Sequence, residues 1–153
     1  MGRELIYTKL DCSVVYLLSN LGNYPTRTKL VKLLYLADLQ HSKKYGRTLT
    51  GVTYYSYFYG PYSDQIAKSI KKLKDSDIIQ EDSGVGVEGQ EYYVYGIKID
   101  TESFEALLDG DEKKTLNRVI TEYGDLPLDA ILDIVYSTKP FVKTKKGNRI
   151  HLG

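Results

Sequence analysis
The chain predicts an α+β fold, mainly α-helical, arranged as one domain around a single buried helix. Three observations lead there. The run Lys29-Leu30-Val31-Lys32-Leu33-Leu34-Tyr35-Leu36-Ala37-Asp38-Leu39 is the most apolar stretch of the sequence. At 100° per residue Leu30, Leu33, Leu34, Ala37 and His41 share one face while Leu36 and Leu39 fall on the other, so this helix needs enclosure on all sides. Amphipathic stretches flank it, and two β-rich stretches joined by a glycine-rich tip follow one of them. The length of 153 residues, with 42% hydrophobic and 27% charged content, suits one globular core. The apolar run is shorter than a membrane span and contains Lys32 and Asp38, which excludes a membrane partner.

Taken in order, Leu5, Leu10, Val14, Leu17, Leu18 and Leu21 are spaced for one face of a first helix that ends at Gly22. Pro25 precedes the central helix, Thr26 or Thr28 caps it, and Gly46 stops it after Tyr45. Thr48-Leu49-Thr50-Gly51 reads as a turn, and Thr53-Tyr54-Tyr55-Ser56-Tyr57-Phe58-Tyr59 as a short strand or extended segment broken by Gly60-Pro61. Ser63 then caps a helix whose Ile66, Ala67, Ile70 and Leu73 face inward. A strand at Asp77 to Glu81, a flexible tip at Ser83 to Gly89 and a strand at Gln90 to Ile99 make a β-hairpin. A helix followed by a hairpin is the winged-helix pattern. Two more helices follow. One runs from Asp111 to Tyr123 with Leu116, Val119 and Ile120 inward, and one from Leu126 to Tyr136 with Pro127 in its first turn and Leu128, Ile131, Leu132 and Val135 inward. Lys139-Pro140-Phe141 closes the domain, residues 1–141, and Lys143, Lys145, Lys146 and Arg149 mark residues 142–153 as a basic tail.

Charge and cysteine content narrow the chemistry. A net charge of +1, from 21 basic and 20 acidic residues, creates no global attraction for nucleic acid or anionic membrane. Cys12 stands alone, which excludes an intramolecular disulfide and a cysteine-rich zinc site and fits a reducing compartment. Arg3, Glu4, Lys9 and Asp11 interrupt the start of the chain as no signal peptide would allow, so a cytoplasmic location is expected.

Catalytic groups are sparse. Asp38 and His41, at i and i+3 on the central helix, fall short of the three or four ligands a metal site needs, and read as satisfied polar positions. Cys12 has no base beside it. Gly84, Gly86 and Gly89 precede a strand, whereas a phosphate-binding loop opens a helix. Neither catalysis nor a cofactor is expected.

Binding is better supplied. Lys68, Lys71 and Lys72 form a stripe opposite Ile66, Ile70 and Leu73, the placement for nucleic-acid contact by a recognition helix. Against it, the hairpin is acidic at Glu81, Asp82 and Glu88, and only Gln65 suits bidentate base contact. Tyrosine, by contrast, is abundant: 15 Tyr against 3 Phe and no Trp. Tyr54, Tyr55, Tyr57, Tyr59 and Tyr62 crowd around Phe58, and strand alternation turns part of this set outward. Tyrosines anchor protein interfaces because they bury large area with few rotors. Tyr55, Tyr57, Tyr59 and Tyr62, with Arg47 as a charged companion, are therefore the candidate partner-binding residues.

Lys32-Leu33-Leu34-Tyr35-Leu36-Ala37, Lys44-Tyr45-Gly46-Arg47-Thr48-Leu49-Thr50-Gly51 and Tyr59-Gly60-Pro61 with its Ser63 cap resemble the Panacea family, the SocA-like antitoxin domains also known as phage-associated proteins. The resemblance spans Asp11 to Phe141 and is most specific from Lys32 to Pro61. Tyr136-Ser137-Thr138-Lys139-Pro140-Phe141 is similar to the family's closing motif, with Tyr136 where a histidine is common and Lys139 where an acidic residue is common. The resemblance implies a mostly helical, non-enzymatic domain that binds and neutralises a cognate toxin; the lysine stripe and the hairpin after it leave a winged-helix DNA-binding regulator as the alternative. Within the motif Lys32, Tyr35 and Asp38 are polar groups on a buried helix, which must be hydrogen-bonded or paired. They are expected to fasten the segment from Tyr55 to Gly60 and Pro61 onto the core.

Overall fold
The computed structural model describes residues 6–22 and 24–153. Helix α1 (Lys9–Asn20) opens with a capping box: the Asp11 amide donates to the Thr8 hydroxyl at 3.1 Å and the Thr8 amide to the Asp11 carboxylate at 3.0 Å. Leu10, Val14, Leu17 and Leu18 are buried as their spacing predicts, and Leu5 lies outside the described residues.

Helix α2 (Arg27–Tyr45) is the central one. Thr26, rather than Thr28, caps it by accepting from the Lys29 amide, and Gly46 at φ 76° ends it with its N–H on the Ser42 carbonyl at 2.9 Å. Every residue from Lys29 to Leu39 is buried. The all-round apolar pattern therefore corresponds to a helix with neighbours on every side.

Strand β1 (Tyr54–Tyr57) alternates buried and exposed side chains. Gly60-Pro61 does not break the extended segment; it starts β2 (Gly60–Tyr62), which folds back through Phe58 and Tyr59 so that Gly60 faces Tyr57 and Pro61 faces Ser56. A proline is tolerated there because β2 is an edge strand, and Gly60 supplies φ 101° at the reversal. Helix α3 (Asp64–Asp75), capped by Ser63, buries Ile66, Ile70 and Leu73 and leaves Ala67 half-buried.

The hairpin of β3 (Ile79–Val85) and β4 (Glu91–Ile97) pairs in register from Ile79 with Ile97 to Val85 with Glu91, so its first strand runs further than the apolar residues alone suggest and its tip is shorter. It does not swing free: the Tyr95 amide donates to the Pro25 carbonyl at 3.1 Å and Val94 bridges Thr26.

A short helix α4 (Glu102–Glu105) without a sequence signal sets Phe104 against Tyr7, ring centroids 4.7 Å apart. Helix α5 (Gly110–Tyr123) begins with a capping box between Asp109 and Glu112, and α6 (Leu128–Tyr136) follows Pro127, which sits at the cap and not inside the first turn. Of the inward positions expected on these two helices, Leu116, Val119, Ile131 and Val135 are buried, whereas Ile120, Leu128 and Leu132 are half-buried. Helices α1, α5 and α6 and strand β2 all pack on α2.

The expectation that order ends at Phe141 and leaves a basic tail is corrected. Helix α7 (Lys139–Lys143) continues the chain, and β5 (Arg149–Ile150) pairs antiparallel with β1, giving a three-stranded sheet in the order β2-β1-β5. Ile150 is buried and the Ser56 amide donates to the Asn148 carbonyl at 2.9 Å. Ile150→Ala should therefore destabilise the fold by about 2 kcal/mol in urea unfolding and speed hydrogen exchange at the Ser56 amide more than at amides of α2.

Candidate functional site
The aromatic hairpin β1–β2 is held from beneath by polar groups of α2. Asp38 is fully buried and accepts four hydrogen bonds: from the Leu49 and Thr50 amides at 2.8 Å each, from the Thr50 hydroxyl at 2.6 Å and from the Tyr54 hydroxyl at 2.7 Å. This carboxyl gathers the turn after α2 and the first residue of β1 onto one helix position. Burial pushes its pKa up, and the four donors oppose that. The Tyr54 hydroxyl is pushed well above its ordinary pKa by its own burial and by the adjacent carboxylate. Tyr35 sets its ring edge-on to Tyr54 at 5.4 Å, and its hydroxyl meets Thr138 Oγ1 at 2.7 Å, tying the end of α6 to the same helix.

Lys32, one helical turn before Tyr35, reaches β2. Its Nζ donates to the Pro61 carbonyl at 2.9 Å and its side chain is only 3% exposed. Among the described residues no carboxylate lies within ion-pairing distance of it. Burial alone pulls the ammonium pKa down to about 8. Gly60 runs directly over this side chain: a Cβ there would stand 3.1 Å from the Tyr136 ring and 3.3 Å from Lys32 Cε, at a φ that disfavours any side chain. Tyr136, where the motif resemblance expects a histidine, instead stacks on Phe141 at 5.4 Å and covers the Gly60 backbone.

With its backbone fixed, the hairpin turns its rings outward. Tyr54 is 1% exposed, but Tyr57 is 45%, Phe58 72% and Tyr59 70% exposed, and Tyr55 also points to solvent. Tyr62 is half-buried and meets Tyr57 edge-on at 5.8 Å. Lys146 Nζ lies 4.6 Å over the Phe58 ring. Tyr57, Tyr59 and Tyr62 line a hollow of about 720 Å³ together with Leu128 and Leu132 of α6, Val31 and Lys32 of α2, and Arg27 and Glu91. The two leucines are spaced i and i+4, and their incomplete burial is what opens the hollow.

The remaining candidates are placed elsewhere. Arg47 extends toward Asp109 at 3.5 Å and Glu112 at 3.7 Å, at the start of α5, and so is not a companion of the tyrosines. Two of the three candidate lysines on α3 are engaged within the fold: Lys71 with Asp75 at 2.7 Å and Lys72 with Asp11 at 2.6 Å, beside the Ser69 hydroxyl that also donates to Asp11. Lys68 is exposed. Glu81 of the hairpin accepts from Lys74 and from the Tyr95 hydroxyl, which in turn receives Arg27.

Asp38 and His41 do not converge, since the Asp38 oxygens are occupied as described and His41 Nδ1 meets Thr115 Oγ1 at 2.7 Å. Among the described residues no group of three His, Cys, Asp or Glu side chains could hold a metal ion. The Cys12 thiol is buried and its pKa is pushed up to about 11. Thr50, Thr138, Leu128 and Leu132 carried no functional signal in the sequence. The first two matter as partners of Asp38 and Tyr35, the last two as a wall of the hollow.

Residues 30–140 match the family described as antitoxin SocA-like, Panacea domain. No curated protein matches the chain. Among the described residues no helix is long and apolar enough to cross a membrane.

The buried ammonium makes a pH prediction whose sign follows from its depressed pKa. Between about 8 and the ordinary 10.5 the unfolded chain holds a proton that the folded chain has released, so stability from this group rises with pH across that window. Compared with Lys32→Met, the natural chain should gain about 2 kcal/mol of relative stability between pH 7 and pH 10 in urea unfolding. An unchanged difference would mean that the ammonium is solvated.

Proposed function
The chain belongs to the SocA-like Panacea antitoxin family, and on that premise we propose that it neutralises a cognate toxin by direct, stoichiometric, non-enzymatic binding through the aromatic hairpin. The observation that carries this reading is the combination of exposed Tyr57, Phe58 and Tyr59 with a hairpin held at both strands, by Asp38 on the Tyr54 hydroxyl and by Lys32 on the Pro61 carbonyl. Exposed rings on a mobile loop would lose conformational freedom on binding; rings on a backbone already fixed lose little, and more of the buried area becomes affinity. The toxin is a cytoplasmic protein encoded nearby. Occlusion needs no chemistry from the antitoxin, in keeping with a buried Cys12 and with an Asp38 committed to internal hydrogen bonds. DNA binding through α3 has less to draw on, because Lys71 and Lys72 already carry ion pairs.

The test is co-expression with the product of the neighbouring reading frame. Tyr57→Ala and Tyr59→Ala together should abolish rescue from toxicity and weaken co-purification by 10-fold or more, roughly the loss of one interface hot spot. Because both rings are exposed, melting should stay within about 0.5 kcal/mol of the natural chain. Full rescue by the double variant, or a harmless neighbour, would overturn the proposal.

A further inference from the structure
The hollow beside the hairpin carries a feature that an apolar docking groove alone does not explain. An ammonium has three donors, and the Lys32 ammonium spends one on the Pro61 carbonyl at 2.9 Å. Lys32 lines a cavity of about 720 Å³ together with tyrosine rings and with Leu128 and Leu132. A buried charge is normally neutralised by an opposite one, yet no carboxylate of the described residues reaches it. Arg27, the other lining cation, is already taken by Tyr95 and Glu81. Among the described residues Glu91 is the one carboxylate lining the hollow; it sits at the start of β4 and forms no ion pair with Lys32. The hollow also shares Tyr57 and Tyr59 with the exposed aromatic surface, so a segment lying on the hairpin lies over the hollow as well.

We propose that this hollow receives an Asp or Glu side chain of the toxin together with a neighbouring large apolar side chain, the carboxylate pairing with Lys32 beneath the Gly60–Pro61 backbone and the apolar group filling the space between Leu132 and the tyrosine rings. The inference rests on the toxin-binding reading and adds the chemistry of the recognised segment. It assigns Lys32 two roles, holding β2 by the Pro61 carbonyl and selecting an acidic residue that enters the hollow. It also explains why no carboxylate of the described residues pairs with this cation: its counter-charge arrives with the toxin, and burying the pair within an apolar wall makes an uncharged substitute a poor replacement.

The test uses no toxin. A library of random octapeptides displayed on phage is panned against the intact chain, and the dominant sequence is synthesised with a fluorescent label and an amidated C-terminus for polarisation titrations. Enrichment of Asp or Glu within two positions of Leu, Ile, Phe or Met is expected. Replacing that acid by its amide, or Lys32→Met in the protein, should each weaken binding at least 10-fold, and the two together should lose little more than either alone. Leu132→Glu, which leaves the Pro61 hydrogen bond intact, should weaken the same peptide and serves if Lys32→Met fails to fold. Enriched peptides without an acid, binding that needs a free C-terminal carboxylate, additive losses, or indifference to Leu132→Glu would each overturn the assignment. Success here with a neighbour that is not neutralised would sink the antitoxin reading alone; failure here with full rescue in co-expression would sink only the Lys32 assignment.

Discussion

The structure turns on one buried carboxylate. Asp38 lies in the middle of α2 with no exposure to solvent, a position that would be strongly unfavourable for a charge without partners. Its two oxygens collect two amides of the turn after α2, one hydroxyl of that turn and the hydroxyl of Tyr54. The Leu49 amide and the Tyr54 hydroxyl would otherwise be buried without an acceptor, at about 1–3 kcal/mol apiece. The carboxylate therefore determines where the chain goes after Gly46 and where β1 begins. From β1 follow the turn at Phe58 and Tyr59, the return strand over Lys32, and the pairing with Ile150 at the far end of the chain. A helix that is otherwise only greasy becomes a ruler against which the hairpin is set.

The proposed toxin-binding surface is the outer face of that arrangement. The same strand alternation that sends Tyr54 into the core toward Asp38 sends Tyr55 and Tyr57 outward. Rigidity and exposure thus come from one cause, and they are what an interface anchor requires. The α3 helix is an instructive contrast. Its lysines have the spacing of a phosphate-binding stripe, but Lys72 is drawn down onto Asp11, where the capping box of α1 has already placed a buried carboxylate. A stripe that neutralises its own fold has little charge left for a partner.

Most helices were legible because their signals are local. Thr26 and Gly46 bracket α2, Ser63 opens α3, and apolar periodicity marks α5 and α6. The need for Lys32, Tyr35 and Asp38 to find partners was also legible, since it follows from polarity inside an apolar run, and Lys32 does reach Pro61. Their other partners were not, because Thr138 lies 103 positions from Tyr35 and no local pattern links them. Strand β5 was missed for the same reason: two residues carry no periodicity, and a basic composition masks an Ile150 that only its pairing with Tyr54 explains. Leu128 and Leu132 were assigned to the core by spacing, whereas α6 is rotated so that Ile131 and Val135 are enclosed and the two leucines border a hollow.

The central claim is that the face built over Asp38 and Lys32 is the one a toxin covers. Hydrogen–deuterium exchange of the chain alone and in its purified complex with the toxin tests this directly. New protection is expected to concentrate at Tyr55–Tyr62 and around Leu128–Leu132, with little change along α3. Protection centred on Lys68 and its neighbours in α3, with the aromatic hairpin unaffected, would contradict it.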